Sequence, residues 1–428
     1  MHFDFLITAR NFLTVSPLFV LGFMLIFGFF MGKLAEKTGL PNITGYIITG
    51  LLIGNSITGI VDTEMEHSLH LITELALSII AITIGGEFLL SKLKKLGKGI
   101  IVLTLFEQLG ALTMVTGVLY LLGLPLPFAL LMGAISSATA PAATVAIVNS
   151  LKAKGKFIDY LYGIVALDDA GAVILYGILF AVATVIMDTT GTSGLTALIN
   201  ILKAFFSIIA SVFLGLASGW LLYQFVKKLY SKKEILIISL GIIIVTTGIA
   251  TIMGYSPLLA NMASGTLLIN ITSRNKRIFD ALKSLSPPIY TLFFIVAGTE
   301  LKPSVISQSS VIFLGIAYVL ARITGKYAGV YTIGKTMGLN KKIYKNLGFC
   351  LMPQAGVALG LIMLLKTSPL ASHLSHANQL ILTNMINIVL FSTFINEILG
   401  PFASKQGILR GTNLISNKEI KKTTRVHP

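Results

Sequence analysis

Residues 157–187 read FIDYLYGIVALDDAGAVILYGILFAVATVIM, an apolar run broken by Asp159 and by the adjacent pair Asp168 and Asp169. An α-helix needs about 20 apolar residues to cross the ~30 Å hydrocarbon core of a bilayer. This run is longer, so the span it predicts tilts or extends out of the bilayer. Nothing in it alternates with the period of two that a barrel strand would show. In lipid, a helix satisfies all its backbone groups internally, and such a run must adopt it.

The rest of the chain follows the same pattern. Of its 428 residues 54% are hydrophobic and 12% charged, against roughly 25% charged in soluble domains. Apolar runs predict thirteen helices, near 12–32, 41–61, 70–90, 99–123, 126–150, 157–187, 198–226, 234–254, 255–273, 284–300, 310–334, 344–366 and 377–400. The expected fold is therefore all-α, a polytopic membrane protein. The single cysteine, Cys350, excludes an internal disulfide and a Cys-rich metal site.

The net charge of +16 would point to nucleic acid in a soluble protein, so its placement matters. Connections after the odd-numbered spans hold 27 of the 33 basic residues, among them Lys92, Lys94, Lys95, Lys227, Lys228 and Lys341. Even-numbered connections carry acids instead, such as Asp62, Glu64 and Asp188. By the positive-inside rule the N-terminus lies outside and the C-terminus in the cytoplasm of a cell (plasma) membrane protein. The basic excess is then topology and contact with anionic membrane lipid, and no nucleic-acid partner is expected.

An internal repeat is also visible. Gly50-Leu-Leu-Ile-Gly-Asn55 is echoed by Gly265-Thr-Leu-Leu-Ile-Asn270, Gly85-Gly-Glu87 by Gly298-Thr-Glu300, and Pro141 by Pro353, at offsets of 215, 213 and 212. Each match pairs span n with span n+7. An odd shift makes the copies cross the membrane in opposite directions, as in many secondary transporters. The expected organisation is a transmembrane domain over 1–402, with repeat one near 12–187, a linking helix near 198–226 and repeat two near 234–402, followed by a basic cytoplasmic tail over 403–428.

The polar residues converge at mid-depth. Asp168 and Asp169 lie about ten residues from the cytoplasmic end near Asp159, roughly 14 Å deep at ~1.5 Å per residue, and Lys326 is at a similar depth counted from Lys335. A charge there costs roughly 2.5–3.5 kcal/mol and marks a functional candidate. Two helix breaks fall at the same level: Ser136-Ser-Ala-Thr139-Ala140-Pro141-Ala-Ala-Thr144, and Met352-Pro353-Gln354-Ala-Gly356. Proline frees carbonyls, which in hydrocarbon need protein, water or an ion as partner. Carboxylate and carbonyl oxygens are hard ligands for a hard cation. Arg322 shares a face with Lys326, one turn away. Glu87, Glu107, Glu300 and Glu397 lie nearer helix ends or lack an evident partner, and are read as snorkelling or structurally paired.

These residues, together with Pro41-Asn-Ile-Thr-Gly-Tyr46 and Pro353-Gln-Ala-Gly-Val-Ala-Leu-Gly360, resemble the monovalent cation:proton antiporter-2 family of the sodium/proton exchanger superfamily, over about residues 12–402. The resemblance implies inverted repeats with two crossed discontinuous helices. It makes Asp169 the principal ion- and proton-binding carboxylate, Asp168 its partner as a second Na⁺ ligand, Thr139 a contributor beside the break, and Lys326 the counter-charge that pairs with Asp168 when no ion is bound. It further implies a homodimer and electrogenic exchange of Na⁺ or Li⁺ for protons, with K⁺ the alternative ion and no cofactor besides the transported ions. The chain departs from some relatives in having no Gly-x-Gly-x-x-Gly turn after Pro401 and no carboxylate at the fifth-span break.

Two rival readings fit less well. A membrane aspartyl protease needs its aspartates on different helices, facing one another, whereas these are sequence neighbours. A sodium-coupled organic-solute symporter would need a larger polar cavity than the Ala, Val, Leu and Ile around the pair provide.

Overall fold

The structure, a computed structural model, describes residues 17–38, 41–55, 57–61, 63–91, 97–140, 144–145, 147–148, 151–188, 194–272, 275–302, 308–372 and 374–412. Among these the regular elements are helical, and the sole extended pairing is an isolated bridge between Gly54 and Val61. The first half gives α1 (Pro17–Lys37), α2 (Asn42–Ile53), α3 (Thr63–Glu87), α4 (Lys98–Leu121), α5 (Leu126–Ser137), α6 (Lys156–Asp188) and α7 (Gly194–Val226). The second gives α8 (Lys232–Ile252), α9 (Pro257–Ile271), α10 (Lys276–Thr299), α11 (Ser309–Thr336), α12 (Lys341–Asn346) tightening into a 3₁₀ turn over Leu347–Leu351, α13 (Gly356–Thr367), α14 (Pro369–Ser372) and α15 (His376–Gly411).

Each of the thirteen predicted spans contains a helix, and eight of the helices are long and apolar enough to cross a membrane alone. The predicted length of the sixth span is present, since α6 runs for 33 residues. The second span, read as continuous, is instead the short helix α2 of 12 residues, about 18 Å at ~1.5 Å rise. Hydropathy does not register its stop at Gly54, because the residues around it are themselves apolar or small. The interruption expected in the fifth span is where α5 ends, after 12 residues, at Ala138, whose backbone turns extended at ψ 139°. The ninth span is the 15-residue α9. The twelfth span is bent by 48° between Leu351 and Gly356.

One boundary is corrected at the C-terminal end. The helix expected to stop near 400 continues through Pro401 to Gly411, with Ser404 and Ile408 fully buried. Packing on that face holds the helix past a residue that ordinarily ends one. The predicted tail therefore begins as helix, and residues 413–428 lie outside the described residues.

The chain divides into two compact units, each drawn from non-contiguous segments. The first comprises Met1–Leu90, Gly177–Phe313 and Leu359–Phe391. Within it α2 packs on α1 and α10, and α9 on α3, α7 and α8. Glycines that carry the internal repeat make close backbone crossings in it. Gly50 meets the backbone of Ile295 and Gly298 on α10, and Gly265 meets Ile82 on α3, where Gly85 meets Met262 of α9. A Cβ at any of them would strike backbone. Close approach at small residues is the usual basis of helix association in lipid, where apolar side chains gain nothing by leaving the lipid.

The second unit comprises Ser91–Tyr176, Leu314–Ala358 and Ser392–Pro428, with a core that includes Leu103, Phe157, Leu161, Val330, Leu347 and Ile408. In it α4 packs on α5. Gly325 of α11 sits against the carbonyl of Gly110 on α4 and Gly110 against that of Gly325, while Gly329, one turn on, meets Phe106. This glycine contact brings the polar faces of α4 and α11 together. Replacing Gly325 by Val forces the two backbones apart, and overpacking of this kind costs about 1–3 kcal/mol. The variant is expected to show a lower thermal midpoint than the parent in detergent, and an unchanged midpoint would count against the contact.

Candidate functional site

α5 ends in the middle of the second unit, and its last four carbonyls lose their helical partners, as at any helix C-terminus. Each finds a side chain. The Ser137 hydroxyl donates to Ala134 O at 2.6 Å, and the Gln354 amide to Ile135 O at 3.3 Å. Arg322 Nε donates to Ser136 O at 2.9 Å, and Lys326 Nζ to Ser137 O at 2.6 Å. The negative end of the helix thus faces two cations, the favourable pairing for its dipole.

Arg322 also serves the other break. Its Nη1 donates to Met352 O at 2.6 Å, and its Nη2 to Ala138 O at 2.8 Å and to Pro353 O at 3.3 Å. The planar five-donor guanidinium suits this fan of acceptors. Arg322 is fully buried, so the carbonyls freed by both interruptions are held by protein. The interrupted segments touch directly as well, Ala140 N–H donating to Pro353 O at 2.9 Å. Gln354, fully buried, also donates to the Tyr318 hydroxyl at 3.2 Å, and its carbonyl oxygen accepts from Ser392 and Asn396, both at 3.2 Å. The chain beyond the first break is tied back by Thr144, whose hydroxyl donates to Cys350 O at 2.9 Å.

The charged groups lie beside these breaks. Asp168 on α6 is 1% exposed and Asp169 half-buried. Asp168 is held by Gln108 of α4, whose amide donates to its backbone carbonyl at 2.7 Å and to Oδ1 at 3.0 Å. Gly171 makes room for Gln108, since a Cβ there would strike its amide. Lys326 is fully buried; its Nζ donates to Thr139 Oγ1 at 2.8 Å and to Glu107 Oε1, while Asp168 Oδ2 lies 3.8 Å away.

The sequence-predicted residues are thus largely brought together. Asp168, Thr139, Lys326, Ala140, Pro353 and Gln354 belong to one contiguous network. Asp169 follows Asp168 on the same helix, and Gly356 opens α13 just past the second break. Pro141 lies outside the described residues. Of the two accounts of Glu107, snorkelling is excluded and structural pairing holds: it lies inside α4, fully buried against Lys326. Glu300 does pair structurally, with Lys366. Gln108 and the task of Arg322 were not foreseen. The repeat offset held a signal for this face, because Glu107-Gln-Leu-Gly110 and Arg322-Ile-Thr-Gly325 lie 215 residues apart, each charge three residues before the contact glycine.

Two interrupted helices whose breaks touch, their ends neutralised by buried cations and flanked by an adjacent carboxylate pair, define a secondary active transporter of the crossed-helix class. The chain belongs to the sodium/hydrogen exchanger family, whose transmembrane exchanger domain it matches over residues 21–405. It is a multi-pass cation/proton antiporter, a transporter of monovalent cations and protons and not an enzyme. The ammonium/H⁺ antiporter subunit AmhT of Alkalihalophilus pseudofirmus is 21% identical over 398 residues, 92% of this chain and 97% of that protein. The sodium proton antiporter MjNhaP1 of Methanocaldococcus jannaschii at pH 8 has the same fold, with a TM-score of 0.71 at 18% identity over 92% of this chain and 97% of that one. An electron-microscopy structure of MjNhaP1 gives 0.67 at 19%, over 93% and 97%.

The four carbonyls on Arg322 make a test. Lys in its place can reach at most three acceptors from a single point, leaving buried acceptors unmet at about 1–3 kcal/mol each. Arg322→Lys is therefore expected to lower the thermal midpoint of the purified protein nearly as far as Arg322→Ala. A lysine variant as stable as the parent would contradict this bonding.

Proposed function

We propose that the chain exchanges Na⁺ or Li⁺ for protons electrogenically, with Asp168 and Asp169 as the shared binding carboxylates and Thr139 beside them. The observation that carries this reading is the placement of Asp168, buried on α6, against the network that closes both helix breaks. Two adjacent carboxylates in a low-dielectric interior cannot both stay charged cheaply. Either protons or a cation must neutralise them, and neutralisation by either route permits the site to be carried between the two faces of the membrane. Two protons returned per cation would move net charge. K⁺ is the alternative ion, since coordination geometry decides between the two.

The charge pattern of the connecting segments supports a plasma-membrane protein with its N-terminus outside, its basic loops on anionic cytoplasmic lipid, and homodimeric assembly is part of the same reading. In liposomes with an acid interior, external Na⁺ or Li⁺ is expected to raise internal pH, faster when the membrane potential is clamped. Asp169→Asn should abolish the response while the protein remains folded and monodisperse. Exchange retained in that variant would remove Asp169 from the site. A K⁺ response equal to that for Na⁺ would reassign the ion, and no response to Na⁺ or Li⁺ would overturn the proposed exchange.

A further inference from the structure

The Lys326 ammonium has three N–H donors, and three acceptors surround it within hydrogen-bonding reach: Glu107 Oε1, Ser137 O and Thr139 Oγ1. Asp168 Oδ2, at 3.8 Å, is within ion-pair distance of the ammonium but receives no hydrogen bond from it. Asp168 is instead served by Gln108, the neighbour of Glu107 on α4. Of two consecutive residues of one helix, Glu107 takes a hydrogen bond from the lysine and Gln108 donates to the aspartate. Both Glu107 and Lys326 are fully buried. A buried ion pair of this kind is costly to break from one side, because the remaining charge is left without a partner. The cationic neighbour on α11, Arg322, is engaged by backbone carbonyls and does not compete for Glu107 by hydrogen bonding.

We infer that Glu107 is the resident counter-ion of Lys326, a positioning residue that keeps the hydrogen bonds of the ammonium off Asp168, 3.8 Å away, and so leaves that carboxylate open to the transported cation. This rests on the exchange proposed above and names the residue that sets cation affinity in it. The Glu107–Lys326 pair is then a fixed neutral unit. The charge moved per cycle is carried by Asp168 and Asp169, and Lys326 keeps its proton and its place throughout.

The experiment compares wild type, Glu107→Gln, Lys326→Gln, the double variant Glu107→Gln/Lys326→Gln and Glu107→Asp in proteoliposomes, reading cation KM, maximal rate and reversal potential. With Glu107 neutral the ammonium moves onto Asp168 and competes with the cation, so the KM for Na⁺ is expected to rise about tenfold, with the rate at saturating Na⁺ largely kept. Lys326→Gln leaves Glu107 as an uncompensated buried charge and is expected to be the most damaged single variant. The double variant is expected to recover a near wild-type KM with an unchanged reversal potential, and Glu107→Asp to fall between wild type and Glu107→Gln. A wild-type KM in Glu107→Gln, or a double variant no better than Lys326→Gln, would overturn the inference. Should Glu107→Gln not fold, recovery of folded protein in the double variant supports the pair, and loss in both overturns it. Thermal midpoints of wild type, the two Gln singles and the double form a cycle that reports the coupling without transport. A wild type that moves no proton with any cation, beside a strong thermal coupling, would therefore reject the exchange and not the pair.

Discussion

A membrane helix can be interrupted only if something in the dry interior accepts its unpaired backbone groups. In this protein that duty falls on one face of α11. Arg322 and Lys326, one turn apart, reach the carbonyls of Ser136, Ser137, Ala138, Met352 and Pro353, and so close both interruptions from one side. Their charge would be expensive at this depth without those acceptors, and the acceptors would be expensive without them. The cations and the breaks each make the other tolerable. Carboxylates gathered around such a cluster are then held in a field of fixed positive charge and oriented dipoles.

Much of this was legible in the order of residues. Asp168 and Asp169 stood out because few structural roles require adjacent acids in the middle of an apolar run, and Lys326 because its distance from a cytoplasmic lysine cluster gave its depth. The breaks were visible through Pro141 and Pro353, and the length of α6 through its uninterrupted hydropathy. The grouping of α4 with α11 was less accessible. Glu107 and Lys326 are more than two hundred positions apart, and periodicity along one helix does not say which other helix its polar face meets. Without that pairing Glu107 had no evident partner. The early end of α2 was also hidden, because the stretch that stops it remains apolar or small.

The glycines explain why the pairing takes this form. In lipid, packing without gaps is the main gain from bringing helices together, and Gly110 with Gly325 and Gly329 lets α4 and α11 approach at backbone distance. Side chains one turn from that contact then meet without bending far. The same device operates in the first unit at Gly50 with Gly298 and at Gly85 with Gly265. The sequence echoes read as an internal repeat are thus also the points at which helices touch.

Gly110 and Gly325 are counterparts in the two copies, and Glu107 and Arg322 hold equivalent places three residues before them. Had the copies stayed identical, a buried charge at this place would appear twice with the same sign around a self-complementary contact. An acid in one copy and a base in the other avoid that. The contact is symmetric in its glycines and asymmetric in its charges, so that α4 brings an acid and α11 two bases to the place where they meet, a polarity that two identical segments could not encode.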